Sequence, residues 1–212
     1  MARPLITLAA TLLIIGAGPV FADSSTDLGV TGVITPGACT PALSQGGVAD
    51  YGKIAARDLQ ENQPTPLPTT TLRLSVSCEA ATLFALNGVD NRPGSSIDVD
   101  RSSYGLGFIN ETEKVGSFLV VLTNYLADTL PVTKLGSRNN GASWIEHSED
   151  AIWIPGWLAA FGNNASGDWA PIPIRDLSSD VRIHPYIAAA QSLTLIEEQP
   201  IDGSATLEVR YL

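Results

Sequence analysis

One stretch limits the fold more than any other. Leu72, Leu74, Val76 and Cys78 alternate with Arg73, Ser75 and Ser77. A period of two puts the apolar set on one face of a strand and the polar set on the other. The same period closes the chain, where Ala205, Leu207, Val209 and Tyr211 face one way and Thr206, Glu208 and Arg210 the other. Residues 118–122 form a continuous apolar run, expected of a strand buried on both faces. Val181, Ile183 and Ile187 alternate again, with Pro185 on the same face predicting an edge or bulged strand, and Leu193 and Leu195 continue the pattern. Turn chemistry separates these runs, as Asp90-Asn91-Arg92-Pro93-Gly94, Asn139-Asn140-Gly141 and Gly162-Asn163-Asn164. With no long segment of period 3.6, the sequence predicts an all-β sandwich in one domain. Residues 62–68, with Pro64, Pro66 and Pro68, read as an extended connection. The stretch near 142–175 holds Trp144, Trp153, Trp157 and Trp169 among prolines and glycines, and reads as an irregular insertion.

The start of the chain follows a different logic. Arg3 precedes an apolar run over residues 5–15, then Gly16, Gly18 and Pro19, then Val20-Phe21-Ala22. This is the layout of a secretory signal peptide over residues 1–22. The apolar run falls short of the roughly 20 residues a membrane span needs, and no transmembrane segment is expected in the mature chain. Export gives meaning to the cysteines. Cys39 and Cys78 are the only two, and an oxidising compartment favours a disulfide between them over two buried free thiols. Closing a loop of about 40 residues contributes roughly 4 kcal/mol in the chain-entropy model. Ahead of Cys39, Leu28, Val30, Gly32 and Ile34 share one face of a further strand. That strand is either an ordinary first strand or an arm that completes another subunit's sheet.

Chemistry is sparse. A net charge of −10 excludes a nucleic-acid binder that works by releasing phosphate counterions. His147, beside Glu146 and Glu149, and His184, before Pro185, lack the spacing of a metal site, and no cysteine is left to complete one. Asp98-Val99-Asp100 reads as a polar face, and Gly105-Leu106-Gly107 opens no dinucleotide fingerprint. No Gly-x-Ser-x-Gly elbow is present. No catalysis, metal or cofactor is expected. The tryptophans leave two readings open: rings that stack on a sugar, or a satellite core beneath a long loop.

The two ends resemble the chaperone–usher pilins. Gly32, within the alternating Leu28, Val30 and Ile34, stands seven positions ahead of Cys39, as the glycine of a pilin donor strand does; Cys78 closes an apolar strand, and Tyr211 is penultimate. Three stretches look more narrowly like the fimbrial-like domain-of-unknown-function 1120 group, which includes GltF-like proteins. They are Gly47-Val48-Ala49-Asp50-Tyr51-Gly52-Lys53-Ile54, Leu83-Phe84-Ala85-Leu86-Asn87-Gly88-Val89-Asp90-Asn91-Arg92 and the end of the chain from Asp202. Gln199 departs from the pattern, since many pilins carry glycine there.

The resemblance implies an immunoglobulin-like, pilin-type sandwich lacking one strand. It divides the exported chain into a donor-strand arm over residues 23–36 and a domain over residues 37–212. It implies a structural subunit of a fimbria or fimbria-like fibre of Gram-negative bacteria, with a role in cell adhesion. Its partners would be a periplasmic pilus chaperone, an outer-membrane usher and neighbouring fimbrial subunits; it would cross the periplasm and end at the cell surface. Leu28, Val30, Gly32 and Ile34 would be donated, and Ala205, Leu207, Val209, Tyr211 and Leu212 would dock the chaperone. The alternative is a monomeric secreted or periplasmic β-sandwich that binds a ligand, a carbohydrate on the tryptophans being one candidate.

Overall fold

Alternation in sequence becomes layering in space. A computed structural model describes Thr26, residues 29–31 and residues 38–212. The signal peptide expected over residues 1–22 and most of the arm expected over residues 23–36 lie outside the described residues. Residues 38–212 fall within one compact unit. The principal strands are β1 (Cys39–Leu43), β2 (Thr70–Thr82), β3 (Phe84–Asp90), β4 (Gly116–Ala127), β5 (Thr133–Ser137), β6 (Leu158–Asn163), β7 (Ile174–Ile187) and β8 (Ala205–Tyr211).

One sheet runs β1-β2-β7-β4 and ends on the short pair Tyr104–Gly105. The other runs from Ile145–Glu146 through β5, β6 and β3 to β8. Neighbours pair antiparallel throughout. Leu72, Leu74 and Val76 of β2, Val181 of β7 and Leu122 of β4 bury against Leu86 of β3 and Phe161 of β6 in one core. The predicted all-β class is what the chain adopts. Cys39 and Cys78 are register partners on β1 and β2 and form the disulfide.

Three local expectations narrow or change. β7 is the bulged strand of the two alternatives and not an edge: it pairs with β2 on one side and β4 on the other, its register shifting between Ile174 and Asp176 and between Ser178 and Asp180. Pro185 fits there because its carbonyl faces Leu67, whose N–H it accepts at 2.9 Å. Its missing N–H falls on that same side, beyond the end of β2, where only Thr65–Pro66 pairs. Leu193 and Leu195 belong to no strand: a 3-10 turn at Ala190–Ser192 leads into a loop, and both leucines pack on the core from it. The tryptophan-rich stretch is not irregular throughout, because β6 lies inside it as a central strand buried from Leu158 to Gly162.

The remainder of that stretch covers an edge. Ile152 bridges to Val121 of β4, and the Trp153 N–H donates to the Val120 carbonyl at 2.7 Å. Val121 is thereby buried on the outer face of β4, which accounts for the unbroken apolar run over residues 118–122. Lys134 reaches across from β5 and donates to three carbonyls, those of Leu122 (3.1 Å), Glu149 (2.9 Å) and Ala151 (3.1 Å).

Candidate functional site

The opposite side of the sandwich is built differently. β8 pairs with β3 alone, in register from Ala205↔Asp90 to Tyr211↔Phe84. The Ser204 carbonyl accepts from the Asn91 N–H, and the Leu212 N–H donates to the Leu83 carbonyl. Even-numbered residues therefore bond inward to β3. Ala205, Leu207 and Val209 then turn their N–H and C=O groups to the outer edge, as antiparallel geometry requires. No strand among the described residues pairs with that edge.

The facing wall comes from β1 and the chain that follows it. After Leu43 the backbone turns through Gln45 (φ 55°) and Gly46 (φ 63°) and runs on without regular structure to Ala55. Gly52 bonds back to the Asp50 carboxylate, and Lys53 holds Glu198 across the opening. Among the described residues no strand pairs with 49–54 either. Two unpaired backbone walls thus stand on either side of a gap.

The gap opens onto the core. A cavity of about 270 Å³ is lined from the first sheet by Leu72, Val120 and Val181, and from the second by Gly88 and Leu207. A second cavity, of about 760 Å³, shares Ala49, Tyr51 and Ile201 with it and extends under the loop that carries Leu193 and Leu195. Aromatic rings from the far side form the floor. Tyr104 stacks on Phe118 with ring centres 5.1 Å apart, and its hydroxyl lies where a Cβ on Gly88 would come within 2.1 Å. Glycine at position 88 is what lets Tyr104 and Trp153 approach β3. Burial, and then the Asp90 carboxylate, push the Tyr104 phenol above its usual range, so it stays a neutral donor. At one end the groove is bridged: the Cys39 N–H donates to the Tyr211 hydroxyl at 3.0 Å, tying β1 to β8.

The residues singled out from sequence distribute unevenly over this site. Leu207 and Val209 are half-buried against the core, whereas Ala205, Tyr211 and Leu212 are exposed. Leu28, Gly32 and Ile34 lie outside the described residues; Val30 is described, belongs to no strand and is 90% exposed. The four tryptophans do not share a face. Trp153 is in the core, its indole N–H donating to the Trp157 carbonyl. Trp157 lies beneath the Arg138 guanidinium at 4.3 Å. Trp144 and Trp169 are half-buried over a small cluster of Ala85, Leu135, Leu158 and Ala160. His184 pairs with the Thr69 hydroxyl, and the Asp98 carboxylate is held below its usual range chiefly by the Ser102 hydroxyl within its own turn. Sequence reasoning missed Tyr51, Gly88 and Tyr104 as parts of the site. The motif over residues 47–54 marked one wall without saying what it does.

These features define a class: a disulfide-linked protein of two facing β-sheets, closed along one side and open to its core along the other. The model of the family described as Protein of unknown function (DUF1120) matches residues 28–126, from the alternating segment ahead of Cys39 into β4. Relatives of Escherichia coli (strain K12) align almost end to end. Protein GltF is 25% identical over 227 residues, covering 90% of this chain and 89% of its own. Uncharacterized protein YhcF is 24% identical over 218 residues, covering 89% of this chain and 90% of its own.

Proposed function

We propose that this chain is a structural subunit of a fimbria or fimbria-like surface fibre, an immunoglobulin-like pilin-type sandwich that receives a strand from a neighbouring subunit. One observation carries the reading: between β8 and residues 49–54 lies a cavity lined by core side chains, with unpaired backbone on both walls. A solitary subunit with such an edge is an aggregation hazard. A strand laid into it pairs on both sides and covers the core, which is β-augmentation between chains. Its own residues 28–34 are lent in turn, Leu28, Val30 and Ile34 each contributing roughly 1.5–3 kcal/mol when fully buried. Head-to-tail lending does not close on itself, so the product is a filament. During export a periplasmic chaperone supplies the missing strand, and an outer-membrane usher exchanges it. Tyr211 and the Leu212 carboxylate, exposed at the end of β8, stand where the chaperone would dock.

The test is co-expression with a pilus chaperone, an usher and the other fimbrial subunits of the same cell. Unboiled samples are expected to show SDS-resistant ladders, and deletion of residues 23–36 to abolish them while the chaperone complex survives. A chain that purifies alone as a stable monomer and forms no ladder overturns the proposal.

A further inference from the structure

Polar groups buried in this core are almost all paired. Ser95 donates to the Arg92 carbonyl, Ser96 and Ser103 bond each other, and Ser179 donates to the Thr123 carbonyl. The groove breaks the pattern. The Tyr51 hydroxyl is buried with no partner. Tyr104 is 1% exposed, and its hydroxyl lies against Gly88 of β3. Both side chains line the same cavity. The other buried hydroxyl without a partner among the described residues, that of Thr123, does not line it.

The Tyr51 hydroxyl is thus out of water's reach and unpaired even while the groove stands open. A strand that brings it a partner gains roughly ten-fold in binding over one that does not. The residues on the inward face of the 28–34 segment, Leu28, Val30, Gly32 and Ile34, offer no side-chain acceptor. Its threonines, Thr31 and Thr35, fall on the opposite face.

We infer that the strand this groove is built for comes from a different polypeptide and presents a hydroxyl or amide side chain inward, seated against Tyr51 and Tyr104. This rests on the strand-receiving reading above and narrows it: the neighbour that fills this subunit is not a second copy of it. The subunit then sits at a junction between unlike subunits, and a fibre made of this chain alone is disfavoured.

The experiment uses the exported chain and fluorescent peptides spanning residues 23–38: the parent sequence and versions carrying Val30→Thr, Gly32→Ser or Ile34→Thr. Binding is measured to the wild type and to Tyr51→Phe and Tyr104→Phe, which keep the rings and are checked for native melting. At least one hydroxyl-bearing peptide is expected to bind the wild type about ten-fold tighter than the parent does. That gain is expected to collapse in one or both phenylalanine variants. A parent peptide that binds tightest everywhere, with a ranking that neither variant alters, overturns the inference and leaves the strand-receiving reading standing. Failure of every peptide to bind overturns that reading, and the inference with it.

Discussion

The two sides of this sandwich solve the same problem in opposite ways. Each ends on an edge strand whose unpaired backbone invites another chain. Along β4 the edge is taken by the chain itself: Ile152 bridges to Val121, Trp153 enters the core, and Lys134 caps three carbonyls across the gap. Along β8 the facing wall stands off, and a cavity of about 270 Å³ lies where a strand's side chains would go. The protein commits a long segment to closing one side and leaves the other open. Openness is therefore a property of one edge and does not follow from a shortage of chain.

The sharpest way to break this comparison is to remove the plug on the closed side. Trp153→Ala removes a large buried ring that enters from the closed side and reaches the cavity, and is expected to cost about 3–5 kcal/mol in urea denaturation. Leu207→Ala, on a half-buried wall next to an existing cavity, is expected to cost only about 1–2 kcal/mol, because little packing is lost. Equal costs would mean that the two sides are packed alike.

Lys134 tests the closed side by charge. Burial pushes it down to about 8 from 10.5, against the pull of Glu149 and Asp150. Between those two values the unfolded chain holds a proton that the folded chain has released, so this group makes stability rise with pH in that window. Lys134→Met is expected to cost about 2–3 kcal/mol at pH 7, since three carbonyls lose a charged donor. It is also expected to flatten the rise from pH 8 to pH 10 relative to wild type. Denaturation midpoints for both chains across that range check both statements; parallel curves would show that Lys134 does not titrate there.

What could be read from the sequence follows from where a period of two survives. β2 and β8 each keep one face on the core, so their alternation is clean and even places Cys78 opposite Cys39. β6 was illegible because both of its faces are covered, the outer one by Trp144 and Trp169. Its run Leu158-Ala159-Ala160-Phe161-Gly162 therefore shows no alternation. Pro185 suggested an edge or a bulge because the local rule does not know where the neighbouring strand ends. Within the site, one wall was visible as β8. The other wall, residues 49–54, has no period because it pairs with no strand. The floor joins Gly88, Tyr104 and Trp153 only through the register of two sheets, which no local pattern encodes.

The smallest effect expected is at the bridged end of the open side. The Tyr211 hydroxyl accepts from the Cys39 N–H and is a side-chain link between β8 and β1. Its ring is 46% exposed, so Tyr211→Phe removes one partly solvated hydrogen bond and little packing. The expected loss is about 0.5–1 kcal/mol, or a melting point lowered by roughly 1–4 °C for a chain of this size. The comparison between the two sides gives this number a second use. If the open side is held at that end by Tyr211, amide exchange in Tyr211→Phe should rise at Thr206, Glu208 and Arg210, whose N–H groups bond to β3, and stay unchanged at Val121 on the closed side. A rise of the same size on both sides would mean that the substitution acts through global unfolding, and that the bridge does not control the groove.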